Sequence, residues 1–462
     1  MIGDFRVLNR IRDDIAVKHP NAWHLRKYMP KGWDGKIQYI TENATFKTGL
    51  LPQIVQRIID KDYNIQFNTN NYHPLDYEIP NELGGKDVRG YQYDAVEAVL
   101  SNMVAGLSFQ RGALNMATNA GKTLIMALLY IATQAKTIIF IKSTDLYEQF
   151  KRELPELIPE DELGWVKAKE LNWNRCTIAM VQTVARNIKK FKRVLAEYEI
   201  VLFDEGDETE NKSCKSIMNV TFNAVMRLAL SGSIFMGKLK KHQVKAQNIK
   251  SFFGEQLYVI TKKEMVELGY STNLVIKIIP IKDGVKLPGQ YDEEYRLNIT
   301  ENEKRHEMIY KRVMFNLSRG RSYILIFCRF HKHVENLYEY LWAELAGYYK
   351  VEYVHHKRDG RRKINQDFRE GKINVLVSSL INKRGQNFPL INTIINASGG
   401  DNPEHVVQIM GRAERTDESK SKSYIEDFLD FGKYLRRHAK HRVNYYRDEE
   451  FRVIMLDKQR YY

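Results

Sequence analysis

The sequence predicts an α/β protein with two tandem domains, each built on a parallel β-sheet, behind a small N-terminal α+β domain. Three observations lead to this prediction. Short apolar runs alternate with helical patterns from residue 89 to about residue 264, the alternation resumes at residue 323, and residues 1–85 do not follow it. With 462 residues, 43% of them hydrophobic, the chain is long enough for two or three buried cores.

The N-terminal segment, residues 1–85, is predicted to be an accessory domain. It holds a basic and aromatic stretch at 23–40, WHLRKYMPKGWDGKIQYI, and a predicted helix near Leu51–Asp60. Turn-forming residues follow at Asn81, Gly84 and Gly85 and place the domain boundary there.

The two larger domains are predicted at residues 86–275 and 276–462. Eight short apolar runs, each bounded by polar residues, predict buried strands of parallel sheets. They are TIIFI (137–141), CTIAMV (176–181), EIVLFD (199–204), RLALSG (227–232), YILIF (323–327), YKVEYVH (349–355), NVLVSS (374–379) and TIINAS (393–398). Residues 282–295 are a candidate junction, and the basic, aromatic tail from Lys433 is predicted to be partly helical.

The charge balance indicates an anionic partner, because the formal net charge is +15 and the pI is about 9.3. A soluble protein that is merely basic has the same composition. The three cysteines, Cys176, Cys214 and Cys328, are far apart and form no CxxC pair, which argues against a disulfide framework and a zinc site. The longest apolar run, near Leu124–Ala132, is too short to span a bilayer. We therefore expect no membrane partner and a reducing, intracellular location.

Residues 117–123, ATNAGKT, predict a loop that ends in Gly-Lys-Thr and opens a helix. Such a loop holds phosphates through its backbone N–H groups and the helix N-terminus. Lys122 would neutralise the β- and γ-phosphates, and the Thr123 hydroxyl would bind Mg²⁺. Alone, the stretch fits an ordinary helix start equally well, because Met116 stands where the standard pattern asks for glycine.

The run VLFDEGDE (201–208) predicts a buried strand that delivers Asp204 and Glu205 at its carboxyl end, where α/β sheets bind ligands. Asp204 would hold Mg²⁺ through water, and Glu205 would orient or deprotonate an attacking water. An acidic loop after a strand is the alternative interpretation. A Gly-Lys-Thr loop followed by this strand is more specific than either part, so the pair predicts a nucleotide site.

The run QIMGRAERT (408–416), if helical, places Gln408, Arg412 and Arg415 on one face. Two arginines on one face would stabilise the spread negative charge of a phosphoryl group in transfer. A solvated helix of arginine and glutamate is the alternative for the motif alone.

In their order, these motifs resemble those of superfamily 2 helicases and translocases, which have two RecA-like domains. The resemblance covers about residues 86–432 and includes further matches. They are RGYQYDAV (89–96), IIFIKSTDLYEQF (138–150), MVQTVARN (180–187), LALSGS (228–233), ILIFCRF (324–330) and VLVSSLINKRGQNFP (375–389).

The resemblance implies a nucleic-acid-stimulated ATPase that uses ATP and Mg²⁺ in a cleft between the two domains. The implied nucleotide-binding residues are Arg89, Tyr91, Gln92, Thr118, Asn119, Ala120, Gly121, Lys122, Thr123, Asp204 and Gly385, with Thr123 and Asp204 also at the metal. The implied catalytic residues are Glu205, Gln408, Arg412 and Arg415. The implied nucleic-acid contacts of the two domains are Ser143, Thr144, Gln182, Thr183, Arg329 and Ser379.

Several positions depart from the family pattern. Asn119 stands in the phosphate loop where glycine is common, although asparagine tolerates a left-handed backbone better than most residues. Asp207 is typical of the DEAD-type members, whereas translocating members often have histidine. Asn387 replaces an aspartate in a motif that keeps Gly385. None of these departures removes a charged group needed for hydrolysis.

KGWDGKIQYI (31–40) and FKTGLLPQIVQRII (46–59) resemble the accessory domain of phage recombination helicases of the UvsW type. This resemblance implies that Trp33 and Lys36 contact DNA and that the substrate is a branched or forked duplex, such as a replication fork or Holliday junction. It also implies a cytoplasmic location, in the host cell if a phage encodes the chain. Trp33, and Trp23 more so, also fit core aromatics of a small domain.

Three other functions remain open on the sequence. An RNA helicase is favoured by the DEAD-type Asp207, and a nucleic-acid-binding protein with an impaired ATPase retains the same motifs. A small-molecule kinase with a phosphate loop would need no second domain with paired arginines, so it fits least well.

Overall fold

A computed structural model of the chain describes most of its length. The described residues are 5–68, 73–117, 120–206, 209, 211–232, 234–235, 240–271, 273–286, 290–379, 388, 390–402, 405–406, 409, 422–448 and 451–456. The chain divides into two compact units; the first comprises residues 1–116 and 120–260, and residues 261–462 belong to the second. The proposed domain boundaries at residues 85 and 275 stay predictions.

The helices of the first unit belong either to its N-terminal segment or to the layers around its sheet. They are α1 (Phe5–Ile15), α2 (Ala22–Leu25), α3 (Leu51–Ile59), α4 (Gly90–Leu100), α5 (Lys122–Thr133), α6 (Thr144–Glu153), α7 (Val181–Arg186), α8 (Ile188–Leu195), α9 (Lys212–Val220) and α10 (Lys240–Phe253). The second unit contains α11 (Lys262–Glu267), α12 (Tyr291–Tyr295), α13 (Glu303–Ser318), α14 (His331–Leu345), α15 (Arg361–Arg369) and a C-terminal helix, Lys433–Asp448. A π-helical turn, Arg296–Thr300, follows α12.

The strands fall into two large sheets and three small pairs. The first unit contains β1 (Val17–Lys18), β2 (Lys36–Ile37), β3 (Glu82–Leu83), β4 (Lys86–Asp87), β5 (Met103–Val104), β6 (Leu107–Ser108), β7 (Arg111–Met116), β8 (Thr137–Ile141), β9 (Leu163–Lys167), β10 (Glu170–Asn172), β11 (Cys176–Met180), β12 (Ile200–Asp204), β13 (Met226–Ser231) and β14 (Gln256–Ile260). The second contains β15 (Asn273–Pro280), β16 (Ile324–Cys328), β17 (Val351–Val354), β18 (Val375–Ser379), β19 (Thr393–Asn396), β20 (Lys422–Leu429) and β21 (Arg452–Met455).

The first unit is built on an eight-stranded sheet with the order β10-β9-β11-β8-β12-β13-β7-β14. All neighbouring pairs are parallel except β10 with β9. Strands β8, β11 and β12 are buried along their whole length, as expected for a sheet covered by helices on both faces. The carboxyl ends of β7, β8, β11, β12 and β13 therefore lie along one edge.

The second unit repeats this plan with a seven-stranded parallel sheet, in the order β17-β18-β16-β19-β20-β15-β21. Helices α13 and α14 pack on it through an apolar core that includes Ile309, Val313, Val334 and Leu341. The two-domain α/β prediction is confirmed, and the eight predicted strands each correspond to an observed one. The junction candidate 282–295 includes α12, which lies in the second unit.

The C-terminal helix is held to the second sheet by buried charge. Arg442 forms a bidentate ion pair with Asp427 of β20, with both N–O distances at 2.9 Å. The carboxylate of Glu294 accepts hydrogen bonds from the backbone N–H groups of Lys433, Tyr434 and Leu435 at the start of the helix. The helical tail predicted from Lys433 is confirmed.

The N-terminal segment has a small core of its own and also packs against the β5–β6 pair. Ile11, Ile15 and Leu50 lie in its own apolar cluster. Val55 of α3 shares a second cluster with Phe109. Helix α3 agrees with the predicted helix near Leu51–Asp60. Within the described residues, no helix is long and apolar enough to cross a membrane.

Candidate nucleotide site and nucleic-acid surface

The phosphate loop connects β7 to α5, and Gly121 directly precedes that helix. Gly121 has φ +75° and ψ +43°, a left-handed conformation that glycine adopts without steric cost. A Cβ atom at this position would lie 2.6 Å from Nε2 of Gln92. Both the backbone conformation and the close approach therefore require glycine here.

The loop is held from the side by α4. Nε2 of Gln92 and the hydroxyl of Tyr91 each donate a hydrogen bond to the carbonyl oxygen of Ala120, both at 3.3 Å. Oε1 of Gln92 accepts from the backbone N–H of Arg89 at 3.1 Å, and Nη1 of Arg89 donates to the Tyr91 hydroxyl at 3.1 Å. The structure thus places Arg89, Tyr91 and Gln92, three of the residues predicted to bind nucleotide, beside the phosphate loop.

Lys122 and Thr123 occupy the first turn of α5 and are half-buried. Among the described residues, neither side chain makes an ion pair or a hydrogen bond to a protein side chain. Their ammonium and hydroxyl groups, with the backbone N–H groups at this helix start, are donors suited to a polyphosphate.

Asp204 ends β12 and is buried, and its Oδ1 accepts a hydrogen bond from the backbone N–H of Glu205 at 2.9 Å. Glu205 has φ +53°, a left-handed conformation that is strained for a residue with a side chain. Gly206 follows closely against β13, where an added Cβ would lie 2.5 Å from that of Ala229. This packing holds the turn that carries the two carboxylates.

The oxygen donors present fit Mg²⁺. A carboxylate at the end of β12 and a hydroxyl at the start of α5 are hard ligands. Mg²⁺ is commonly held by one or two carboxylates together with substrate phosphates, without a protein cage. The described residues contain no group of three or more His, Cys, Asp or Glu placed to hold a metal.

Two further loops lie at the same edge of the first sheet. Ser143 caps α6, its Oγ accepting from the backbone N–H of Leu146 at 3.1 Å, and Thr144 beside it is exposed. Nε2 of Gln182 donates to the carbonyl oxygen of Lys142 at 2.9 Å. Oγ1 of Thr183 accepts from the backbone N–H of Ala168 at 3.0 Å. The hydrogen bond from Gln182 therefore joins the loop after β8 to α7.

In the second unit, Arg329 directly follows β16, and Ser379 ends the neighbouring strand β18. Arg329 is exposed, donates to the Tyr291 hydroxyl at 2.6 Å and lies 4.9 Å from the Phe330 ring centroid. Burial raises the pKa of Tyr291, while Arg329 opposes the shift. Ser379 is buried at the end of β18, and its Oγ has no hydrogen-bond partner among the described residues.

Sequence reasoning did not include the histidines at this edge in the predicted site. His331 begins α14, and His355 and His356 follow β17, so all three lie at the carboxyl edge shared with Arg329 and Ser379. The ring centroids of His331 and His356 are 4.1 Å apart, and Nε2 of His355 lies 3.2 Å from Oε1 of Glu335. In the sequence, each of these histidines ends or follows a predicted strand of the second sheet. That pattern could have indicated that they lie at one edge of the sheet.

Six predicted site residues lie outside the described residues. They are Thr118, Asn119, Gly385, Gln408, Arg412 and Arg415. The departures at Asp207 and Asn387 lie outside them as well. The roles of these residues stay predictions.

In the N-terminal segment, Trp33 is half-buried and serves the local fold. Its Nε1 donates to the carbonyl oxygen of Lys36 at 3.0 Å, and its ring meets that of His19 edge-on. The backbone N–H of Lys36 in turn donates to Asp34. The interpretation of Trp23 as a core aromatic is wrong, because Trp23 is 82% exposed. Ala22 beside it provides the buried anchor of α2 instead.

Two protein-family models match the chain. The model described as the type III restriction enzyme, res subunit, matches residues 85–236. The model described as the helicase conserved C-terminal domain matches residues 305–417. Together the two matches span more than half of the chain.

Similar proteins include the ATP-dependent DNA helicase UvsW of Enterobacteria phage T4. It is 25% identical over 464 residues, which cover 93% of this chain and 88% of that protein. Among solved structures, the ATP-dependent type ISP restriction-modification enzyme LlaBIII bound to DNA has a TM-score of 0.56 at 14% identity, covering 80% of this chain and 31% of that one. Dbp5 of S. cerevisiae bound to RNA and ADP BeF3 has a TM-score of 0.54 at 16% identity, covering 80% and 90%. The two structures share the fold and differ in the bound nucleic acid.

Proposed function

We propose that this chain, a superfamily 2 helicase that acts on nucleic acid with ATP, remodels branched DNA. The observation that carries the choice of substrate is the similarity to a DNA helicase over 93% of the chain, a length that requires the N-terminal segment to be part of the match. A match confined to the two α/β domains would favour no particular nucleic acid.

In this proposal, Gln92 recognises adenine while its amide also holds Ala120 of the phosphate loop. Lys122 and the N–H groups at the start of α5 bind the β- and γ-phosphates. Thr123 and Asp204 would hold Mg²⁺, which supplies charge neutralisation on the phosphates when bound. Glu205 orients the attacking water and accepts its proton.

The remaining catalytic roles rest on the family resemblance. Arg412 and Arg415 would stabilise the negative charge that spreads over the γ-phosphoryl group, and Gln408 would contact the same group. Gly385 would contact the nucleotide. These four residues extend the proposal beyond the described part of the chain.

The nucleic-acid surface in this proposal follows the carboxyl edges of the two sheets. Ser143, Thr144, Gln182 and Thr183 would contact one stretch of backbone, and Arg329 and Ser379 another. Contacts of this kind are mainly to phosphate and sugar, so binding should tolerate sequence changes and weaken with salt. Trp33 and Lys36 would contact DNA from the N-terminal part of the first unit, where the hydrogen bond from Trp33 to the carbonyl oxygen of Lys36 holds the two residues together.

The test is a substrate panel of forked DNA, a Holliday junction, linear duplex DNA, single-stranded DNA and duplex RNA. ATP hydrolysis and strand rearrangement are measured on each, with Lys122→Ala as the control for the nucleotide site. We expect the fork and the junction to be rearranged with ATP and not without it. Stronger stimulation and unwinding with RNA would instead identify an RNA helicase. Unchanged hydrolysis in Lys122→Ala would remove the proposed nucleotide site.

A further inference from the structure

An exposed aromatic cleft lies in the N-terminal segment, and none of its lining residues is one placed at the nucleotide site. Trp23 is 82% exposed and Tyr28 is 74% exposed. Both line one shallow surface cleft of about 560 Å³, together with His24, Arg26 and Lys27. Single exposed apolar residues are ordinary, but two large rings that share one cleft indicate a binding surface.

The local fold does not depend on the Trp23 ring. Helix α2 is anchored by Ala22, which is buried against Gly35 so closely that a Cβ there would lie 3.1 Å from that of Ala22. Among the described residues, the ring of Trp23 contacts no other aromatic ring. Its exposure leaves the ring accessible to a planar ligand.

The same cleft carries positive charge that the described residues do not neutralise. Arg26 and Lys27 are exposed and make no ion pair with any described residue. Nζ of Lys27 lies 4.7 Å from the ring centroid of Tyr28. Asp34 is the one carboxylate in residues 18–40, and its Oδ1 accepts from the backbone of Lys36. Aromatic rings beside unneutralised cations suit a ligand in which planar groups alternate with negatively charged groups.

We propose that Trp23 and Tyr28 form a stacking site for the bases of an unpaired nucleic-acid strand, with Arg26 and Lys27 on its phosphates. Unpaired bases present free π-faces to aromatic side chains, whereas a duplex encloses those faces within its own stack. The assignment deepens the proposed function, because a branch point or fork is where a remodelled DNA exposes unpaired bases. It places base stacking on Trp23, whereas sequence reasoning assigned nucleic-acid contact to Trp33.

The test uses the full-length chain and an oligothymidylate that contains 5-iododeoxyuridine, which is cross-linked by light to nearby aromatic residues. We expect a cross-link in the peptide that contains Trp23. It should persist in Trp23→Phe, which keeps a ring, and disappear in Trp23→Ala. The peptide that contains Trp342, which is 54% exposed in the second unit, should give none. A cross-link pattern that does not change in Trp23→Ala would overturn the assignment.

Equilibrium binding of the same oligothymidylate separates stacking from charge. Trp23→Ala should weaken binding on the order of tenfold, and Trp342→Ala should leave it unchanged. On an abasic strand of equal length, Trp23→Ala should bind as the wild type does, whereas Lys27→Ala should bind both strands more weakly and with a smaller salt dependence. An equal loss on both strands in Trp23→Ala would contradict a role in base stacking.

Two outcomes distinguish this site from the proposed function. If the wild type rearranges forks but Trp23→Ala binds oligothymidylate normally, the stacking site fails alone. If the wild type rearranges no branched DNA yet shows the Trp23-dependent cross-link, the site stands and the proposed function fails. A membrane surface is the other anionic partner, and it is tested with vesicles of phosphatidylserine. If vesicle binding requires Trp23 while Trp23→Ala still binds DNA normally, the cleft is a membrane-binding site.

Discussion

Nε2 of Gln92 donates a hydrogen bond at 3.3 Å to the carbonyl oxygen of Ala120, the residue directly before the glycine of the phosphate loop. The residue expected to recognise the base therefore also holds the loop expected to bind the phosphates. Gln92 is buried, so its amide cannot leave this position without losing hydrogen bonds that water would not readily replace.

Replacing Gln92 by alanine should impair both adenine recognition and loop geometry. We expect the KM for ATP to rise on the order of tenfold, the effect of losing one or two buried hydrogen bonds. Discrimination between ATP and GTP should also fall. Steady-state hydrolysis of both nucleotides by wild type and Gln92→Ala measures this. An unchanged ratio of the two kcat/KM values would remove Gln92 from base recognition.

Replacing Gly121 by alanine should abolish nucleotide binding. Alanine is unfavourable at φ +75°, and its Cβ would lie 2.6 Å from Nε2 of Gln92. Gly400→Ala is the matched control, since a Cβ there meets nothing within 4 Å and the backbone is not left-handed. Binding of a fluorescent ATP analogue should be lost in the first variant and kept in the second.

Replacing Glu205 by glutamine should reduce turnover and leave ATP binding nearly unchanged. Glutamine has the shape of glutamate but is a poor proton acceptor, and general-base contributions are roughly 10²–10⁴-fold. Glu199→Gln, at the opposite end of β12 and exposed, is the control and should keep its activity. A pre-steady-state experiment separates binding from hydrolysis. Loss of binding in Glu205→Gln would point to a structural role in the strained turn.

The stability of the second unit should fall as pH falls from 6.5 towards 4. Burial, with a smaller contribution from Arg305, lowers the pKa of His306 from 6.5 to about 4. Between these values the unfolded chain binds a proton that the folded chain does not, so acid favours unfolding. The stabilisation is complete above pH 6.5, and its loss near pH 4 amounts to about 3 kcal/mol.

Hydrogen exchange in the strands of the second sheet measures this effect against pH. His306→Gln, which cannot be protonated in this range, should show a smaller loss of protection than the wild type. Equal slopes for the two proteins would contradict the contribution of His306.

Sequence patterns predicted the central strands well, because those strands are uniformly apolar. The predicted strand runs did not include β7, which begins with a charged residue, or β20, in which charged residues interrupt the apolar run. Arg111 of β7 is buried and donates to the carbonyl oxygen of Val225, and Glu426 of β20 is buried in an ion pair with Arg312. The partners of these charges are more than a hundred residues away in sequence, so no local pattern reveals them.

In the candidate site, too, some residues could be predicted from local sequence and others could not. Gly121, Lys122 and Asp204 could be predicted from local motifs, because phosphate and metal binding constrain residue type at short spacing. The choice between Trp23 and Trp33 could not be made from the sequence. Both lie in one basic, aromatic stretch, and only tertiary packing decides which ring is covered.

The contact between the N-terminal segment and α10 has a mechanical consequence. Nε2 of Gln247 in α10 donates a hydrogen bond to Oε1 of Gln53 at 2.8 Å, and Gly49 approaches the backbone of α10 so closely that no side chain fits between them. We expect so close a contact to resist sliding, so a displacement of the first sheet during an ATP cycle should also move the N-terminal segment that carries Trp23. A nucleic-acid strand bound at Trp23 would then move together with the phosphate loop. On a freely hinged segment, the bound strand would stay in place while the loop moved.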